Sequence, residues 1–327
     1  MTMGVHLRTM KHIGCILLGA LFLAGCGQRD GQSPRAGGGQ PGKAASLAEA
    51  RRGFTTRIVR RDSTNEPVRQ PPPNLFRIVR YDSPVGKLAA YLTPDPKDGK
   101  KHPAIVWITG GDCNSIDEGC WKEGPPSNDQ SANAYRKAGI AMMFPALRGG
   151  NDNPGTKESF LGEVDDVIAA ADYLRKQDFI DAERIYLGGH STGGTLVLLT
   201  AECTDRFRAV FSFGPVENVG GYGPEYLPFD QSNPLEVELR SPGPWLACVR
   251  SPVFVLEGTN QGNLQSLQAM ARASTNPNLH FLPVRRASHF SILAPVNRLI
   301  AEKILRDDGP TCKLTLTEDE LNKLFAR

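Results

Sequence analysis

Between residues 103 and 284, short apolar runs alternate with longer amphipathic segments, and this order constrains the chain more than any other feature of its sequence. A buried parallel strand needs apolar side chains on both faces, and its parallel neighbour can be reached only through a crossover long enough to hold a helix. The runs AIVWITG (104–110), IAMMFPA (140–146), RIYLGGH (184–190), AVFSFGPV (209–216), PVFVLEG (252–258) and LHFLPV (279–284) are therefore predicted strands. Helices are predicted over 129–137, 160–176, 193–202, 263–274 and 292–306. In the second of these, Leu161, Val164, Val167, Ile168 and Leu174 fall near a 3.6-residue period. A terminal helix is expected over 315–324, with Glu318 and Asp319 near its start. Ahead of the series, FTTRIVRR (54–61) and LFRIVRYDSPVGKLAAYLTP (75–94) alternate as an antiparallel hairpin would, with a break at Asp82-Ser83-Pro84. The expected fold is α/β: a mostly parallel, doubly wound sheet with an N-terminal antiparallel hairpin, in a single domain over 44–327. Residues 215–250 form a long irregular stretch placed to cap a pocket.

Residues 1–25 read as an export signal, because Arg8 and Lys11 precede an apolar run over 13–24 that is too short to span a membrane comfortably. The run ends in Leu23-Ala24-Gly25-Cys26, which resembles the lipobox of bacterial lipoproteins. The resemblance implies that Cys26 carries lipid and begins the mature chain. With Gly27 and no aspartate following, it also implies the periplasmic face of an outer membrane. Residues 26–43, rich in Gly, Gln, Pro and Arg, have the composition of a flexible tether between lipid and domain.

Removing the signal lowers the basic count from 38 to 36 against 35 acidic residues, so the mature chain is nearly neutral. It has no dense positive stripe to neutralise phosphates, which argues against nucleic acid as a partner. Cys15 and Cys26 fall in the leader, leaving Cys113, Cys120, Cys203, Cys248 and Cys312. An exported chain can form disulfides, and Cys113 and Cys120 are close enough to close one loop. A metal site would want further cysteines or histidines beside them, and the sequence has none there.

Gly189-His190-Ser191-Thr192-Gly193 fits G-x-S-x-G, a pattern that carries weight only where a strand runs into it and a helix runs out. The predicted strand 184–190 and helix 193–202 supply that setting. Glycine on either side of a sharp turn lets the strand and helix approach closely, and the turn lifts the Ser191 hydroxyl into the open. The helix N-terminus then aims its dipole and the Thr192 amide at the place where an oxyanion would develop. The other reading is a glycine-rich joint with a capping serine. A phosphate loop is disfavoured, because the lysine of GK[ST] is missing.

A nucleophilic hydroxyl needs a base, and the mature chain offers His102, His190, His280 and His289. His102 precedes the first core strand and so belongs to the wrong end of the sheet; His190 is fixed beside the serine; His280 begins a strand. His289, in VRRASHFSIL after the last strand, lies where the carboxyl-end loops of a doubly wound sheet converge, and is the base by elimination.

The order hairpin, GGD loop, GGHSTGG turn and late ASHF is similar to the α/β-hydrolase fold over about residues 54–306. Within it, ALRGGNDNPG, FLGEVDDVIAAADYL and AERIYLGGHSTGG resemble the catalytic domain of prolyl-oligopeptidase-like serine hydrolases. That resemblance implies an acyl-enzyme mechanism on an ester or a short peptide or amide, with no metal or cofactor. Residues 44–103 are too few for the propeller domain of the large peptidases. The second oxyanion donor would come from TGGD (109–112), through the amides of Gly111 and Asp112, and a Cys113–Cys120 bridge would brace that loop.

The sequence departs from the branch at the third catalytic member. The branch's usual aspartate position holds Gln261, and no acid occurs between Gly258 and His289. A neutral amide orients an imidazole but does not stabilise the imidazolium as a carboxylate does. Glu257, at the tip of its strand, is the assigned acid, and Glu217, after the preceding strand, is the rival. Gln261 also keeps open a different class: a noncatalytic envelope lipoprotein that uses a hydrolase-fold cleft to bind a ligand or partner.

Overall fold

Among the described residues, eight strands form one sheet in the order β1-β2-β4-β3-β5-β6-β7-β8. They are β1 (Arg77–Ser83), β2 (Gly86–Leu92), β3 (His102–Ile108), β4 (Ala141–Pro145), β5 (Ile180–His190), β6 (Val210–Phe213), β7 (Val253–Asn260) and β8 (Leu279–Ser288). This computed structural model describes residues 46–62 and 64–326. The expected signal, the tether and Cys26 lie outside the described residues. β1 pairs antiparallel with β2, and β2 antiparallel with β4; every other pairing is parallel. The fold class is the one expected, and the six predicted core strands occupy its centre and far edge.

The helices are α1 (Leu47–Arg51), α2 (Ala134–Lys137), α3 (Glu163–Arg175), α4 (Thr192–Cys203), α5 (Pro234–Glu238), α6 (Leu264–Ala273), α7 (Leu293–Arg306) and α8 (Glu318–Lys323). Alternation along each strand divides the core in two. Ala104, Val106 and Ile108 of β3 pack with α3 and α4, whereas Ile105 and Trp107 pack with α2 and α7 on the other face. Each of these larger side chains contributes about 1.5–3 kcal/mol by leaving water. Among the described residues no helix is long and apolar enough to cross a membrane.

Three expectations are corrected here. FTTRIVRR does not join the sheet, and among the described residues its one strand-like contact is a bridge from Ile58 to Phe229. Its polar groups turn instead to the capping region, where Arg57 N and Thr56 Oγ1 donate to the buried Glu236 carboxylate. The helix predicted over 129–137 is confined to Ala134–Lys137. Ahead of it the Asp129 carboxylate accepts from Ser131 N, Ser131 Oγ and Asn133 Nδ2, which stabilises a tight loop in place of a first helical turn. The Cys113–Cys120 bridge is not formed: both thiols are free and buried. Cys113 packs into the cluster around α3 and α4, and Cys120 into the one around α2 and α7, so each side chain serves a different apolar layer.

In place of the expected disulfide, Asn114 Nδ2 donates to Arg148 O at 2.8 Å and links that loop to the 147–162 loop. Arg148 forks onto Asp166 through Nε at 2.9 Å and Nη2 at 3.1 Å, and reaches Glu158 through Nη1 at 2.7 Å. Arg148 and Asp166 therefore fasten the 147–162 loop to α3, and removing one partner of such a buried pair costs about 3–5 kcal/mol.

Glu202 of α4 is buried, and neither of its carboxylate oxygens has a hydrogen-bond partner among the described residues. Burial pushes its carboxyl well above the ordinary range, so the folded chain keeps a proton that the unfolded chain has already released. Stability should then fall as pH rises above the unfolded value near 4.3, by about 1.4 kcal/mol per pH unit until the folded value is reached. Glu202→Gln should accordingly gain more stability over wild type at pH 8 than at pH 4.5, as read from urea unfolding at both; an equal gain at both would exclude a retained proton.

Candidate active site

The turn from β5 into α4 forces Ser191 to φ +56° and ψ −115°, a conformation that costs a non-glycine residue about 1–3 kcal/mol. It persists because the start of α4 is packed tightly against β5 on one side and the end of β3 on the other. A Cβ on Gly189 would lie 2.5 Å from Gly193 O, and one on Gly193 would lie 2.3 Å from Ile108 O. Ser191 N donates to Phe213 O at 2.7 Å, which pins the turn to the end of β6. Ser191 Oγ makes no hydrogen bond among the described residues and opens into a cavity of about 470 Å³.

His289 follows the last residue of β8, and its Nδ1 lies 2.8 Å from Glu257 Oε2 at the end of β7. Glu257 is fully buried and accepts two further bonds, from Gly258 N at 2.7 Å and Asn263 N at 2.9 Å. A carboxylate with three donors requires His289 Nδ1 to carry its proton, which leaves Nε2 as the free acceptor. Gly214, at φ +60°, lets the ring in: a Cβ there would sit 2.4 Å from His289 Cε1. Ser191 and His289 thus meet the same turn, Ser191 through Phe213 and the His289 ring through Gly214.

Glu217 is not brought to the imidazole; its backbone carbonyl accepts from Gly243 N at 2.9 Å in the capping region. Gln261 is exposed at φ +73° and makes no side-chain hydrogen bond among the described residues. The amides of Gly111, Asp112 and Thr192 are likewise without partners among the described residues. Thr192 Oγ1 donates to Gly111 O at 2.9 Å, which ties the TGGD loop to the serine turn. The Asp112 carboxylate accepts from Ser115 Oγ and Lys157 Nζ, at 2.7 and 3.0 Å, and steadies the loop from its outer side.

The cavity at Ser191 is walled by Phe160, Tyr222, Tyr226 and Leu227, with Cys113 in its lining and Asp62 on its wall. Phe160 and Tyr222 meet at 5.5 Å between ring centroids, and Tyr222 Oη bonds Thr195 Oγ1 of α4 at 2.6 Å. A larger polar depression of about 680 Å³ includes Ala182, Glu183 and Arg206, at the opposite end of β5 from the serine. Among the described residues no three His, Cys, Asp or Glu side chains gather as a metal would need.

Sequence reasoning set aside His190 and overlooked Gln130 and Asn263. Asn263 N bonds Glu257, and its Nδ2 donates to Gly214 O at 2.8 Å, joining the acid to the turn that admits His289. His190 is buried; its Nε2 lies 2.9 Å from the His289 carbonyl, and its Nδ1 faces the Gln130 amide. No pattern in the sequence links Gln130 or Asn263 to a site, because each acts through a contact made only on folding.

The sheet, the serine turn and the loops at its carboxyl ends define the α/β-hydrolase fold. Residues 126–271 match the prolyl oligopeptidase family. A puromycin-hydrolyzing peptidase of Mycobacterium tuberculosis superposes with a TM-score of 0.56 at 22% identity, over 71% of this chain and 39% of that one. For an acylaminoacyl peptidase of Pyrococcus horikoshii the TM-score is 0.55 at 16% identity, over 75% and 43%. For a 2,6-dihydroxy-pseudo-oxynicotine hydrolase it is 0.52 at 16% identity, over 70% and 67%. The chain spans less than half the length of the two peptidases.

Glu257→Gln should slow the reaction of Ser191 with a fluorophosphonate by roughly 10²–10⁴-fold, since the amide no longer stabilises the imidazolium. Glu217→Gln should leave the rate within about 3-fold of wild type, given the modest worth of an ordinary contact. The reverse ranking would move the acid to Glu217.

Proposed function

We propose that this chain is a serine hydrolase that cleaves short amides or esters through an acyl-enzyme. The observation that carries the reading is a strained serine opening into a cavity at a helix N-terminus, on a turn that also meets an imidazole whose Nδ1 is held by a buried carboxylate. Ser191 Oγ adds to the acyl carbon while its proton passes to His289 Nε2. The developing imidazolium is stabilised by Glu257. The oxyanion is met by the amides of Thr192 and of Gly111 or Asp112 and by the dipole of α4. His289 then returns the proton to the leaving amine or alcohol. Water, activated by the same imidazole, releases the acyl group. Every proton transfer uses this chain's own residues.

The cavity favours amides of amino acids among these substrates. Its aromatic and aliphatic wall suits an apolar side chain, and the exposed Asp62 carboxylate on the same cavity suits a free ammonium group. The resemblance to peptidases points the same way. We also propose that the domain is tethered to the cell envelope through lipid on Cys26, a reading that rests on the leader sequence alone. In cells, Cys26→Ser should then move the protein from the membrane to the soluble fraction.

A noncatalytic binding module would leave Ser191 untouched by a fluorophosphonate, whereas the hydrolase should be labelled in the native chain and unlabelled as Ser191→Ala. On a panel of arylamides, free aminoacyl substrates should exceed their N-acetyl counterparts in kcat/KM by roughly 10-fold, a charge-assisted hydrogen bond being worth about 1.5–3 kcal/mol. Asp62→Asn should remove that preference while sparing turnover of simple p-nitrophenyl esters. A preference that survives the substitution would remove Asp62 from the recognition of substrate.

A further inference from the structure

Behind the serine turn runs a chain of polar contacts that joins the two loops the reaction would need. His190 Nε2 lies 2.9 Å from the His289 backbone carbonyl, which only accepts, so Nε2 carries the proton and donates. His190 Nδ1 is then an acceptor, and the Gln130 Nε2 group donates to it at 3.0 Å while also donating to Asn128 Oδ1 at 2.7 Å. With the amide so oriented, Gln130 Oε1 faces the Gly110 N–H, at the start of the TGGD loop, across 3.4 Å.

We propose that His190 is a positioning residue: with Gln130 it couples the oxyanion loop to the backbone of the base and holds His289 within reach of Ser191. The inference rests on the hydrolase reading and deepens it.

Three observations support the role. The rings of His190 and His289 lie 4.5 Å apart between centroids, so a shift of one moves the other. The fit on the far side is equally close, since a Cβ on Gly110 would come within 2.8 Å of His190 Nδ1. Burial, with the neighbouring His289 ring second, lowers the His190 pKa to about 3, so the ring stays neutral and keeps one donor and one acceptor at working pH. Gln130 is fixed in turn by the Asp129 loop, whose carboxylate binds Ser131 and Asn133 just after it.

Side-chain geometry gives a test that packing alone would not pass. A glutamine amide can place its NH₂ where the histidine Nε2 lies, and an asparagine amide can do so only for Nδ1. His190→Gln therefore restores the donor to the His289 carbonyl, His190→Asn restores only the side facing Gln130, and His190→Phe restores neither. Fluorophosphonate labelling of Ser191 should slow roughly 100-fold in the Phe and Asn variants, the scale of loss for a reacting group misplaced by about 1 Å. In the Gln variant it should slow less than about 5-fold, the equivalent of one ordinary hydrogen bond.

The downfield proton resonance of the His289–Glu257 hydrogen bond should be sharp in wild type and His190→Gln and broadened in the other two. Gln130→Met leaves the serine turn intact and should slow labelling by at least about 5-fold from the other end of the chain. If His190 variants fold poorly, this one carries the test. Labelling of His190→Phe or Gln130→Met at the wild-type rate, or equal losses in His190→Gln and His190→Asn, would overturn the positioning role while leaving the hydrolase reading intact. A wild-type chain that resists labelling would overturn both.

Discussion

The close packing of α4 on the sheet, against β5 at Gly189 and against the end of β3 at Gly193, is the contact on which the site depends. It leaves no room for a side chain at either position and so forces the residue between them into a left-handed conformation that serine does not choose. The strain is offset by what surrounds it: Ser191 N donates to Phe213 O, and α4 runs into the core beneath it with Leu196, Val197, Leu198 and Leu199 fully buried. A hydroxyl that opens into a cavity at a helix N-terminus follows from that packing, and the remaining groups of the site are arranged around it.

The second support is the buried carboxylate of Glu257. A charge at zero exposure is costly unless it is paired, and this one is met by an imidazole and two backbone amides. One of those three donors, Asn263 N, comes from the loop that follows β7, so Glu257 orders the loop as well as the imidazole. Its position also accounts for the exposed Gln261. With a carboxylate already on His289 from Glu257, four residues earlier, the later position has no side-chain hydrogen bond among the described residues and lies in solvent.

Much of the architecture was legible because parallel strands buried on both faces need continuous apolar runs, and helices that cover them need an apolar stripe. The sequence segments 104–110, 140–146, 184–190, 252–258 and 279–284 correspond to β3, β4, β5, β7 and β8 within a few residues. The run 209–216 shortens to Val210–Phe213 because Gly214 turns the chain aside at φ +60° to admit the His289 ring. FTTRIVRR misled because its alternation of apolar and polar residues is satisfied equally well by lying across the capping region, where Glu236 takes its hydrogen bonds. The two cysteines misled because closeness in sequence says nothing of which side of a sheet a side chain faces.

Local composition by itself determined the sheet, the turn at Ser191 and the histidine that follows the last strand, since each is set by periodicity, by glycine sterics or by position along the chain. Folding in three dimensions decided which carboxylate meets His289, which cysteines stay apart, and that His190 and Gln130 tie the two loops together. Those outcomes depend on hydrogen-bond distances between residues as far as 99 positions apart, such as His190 and His289, and no local pattern encodes a distance of that kind.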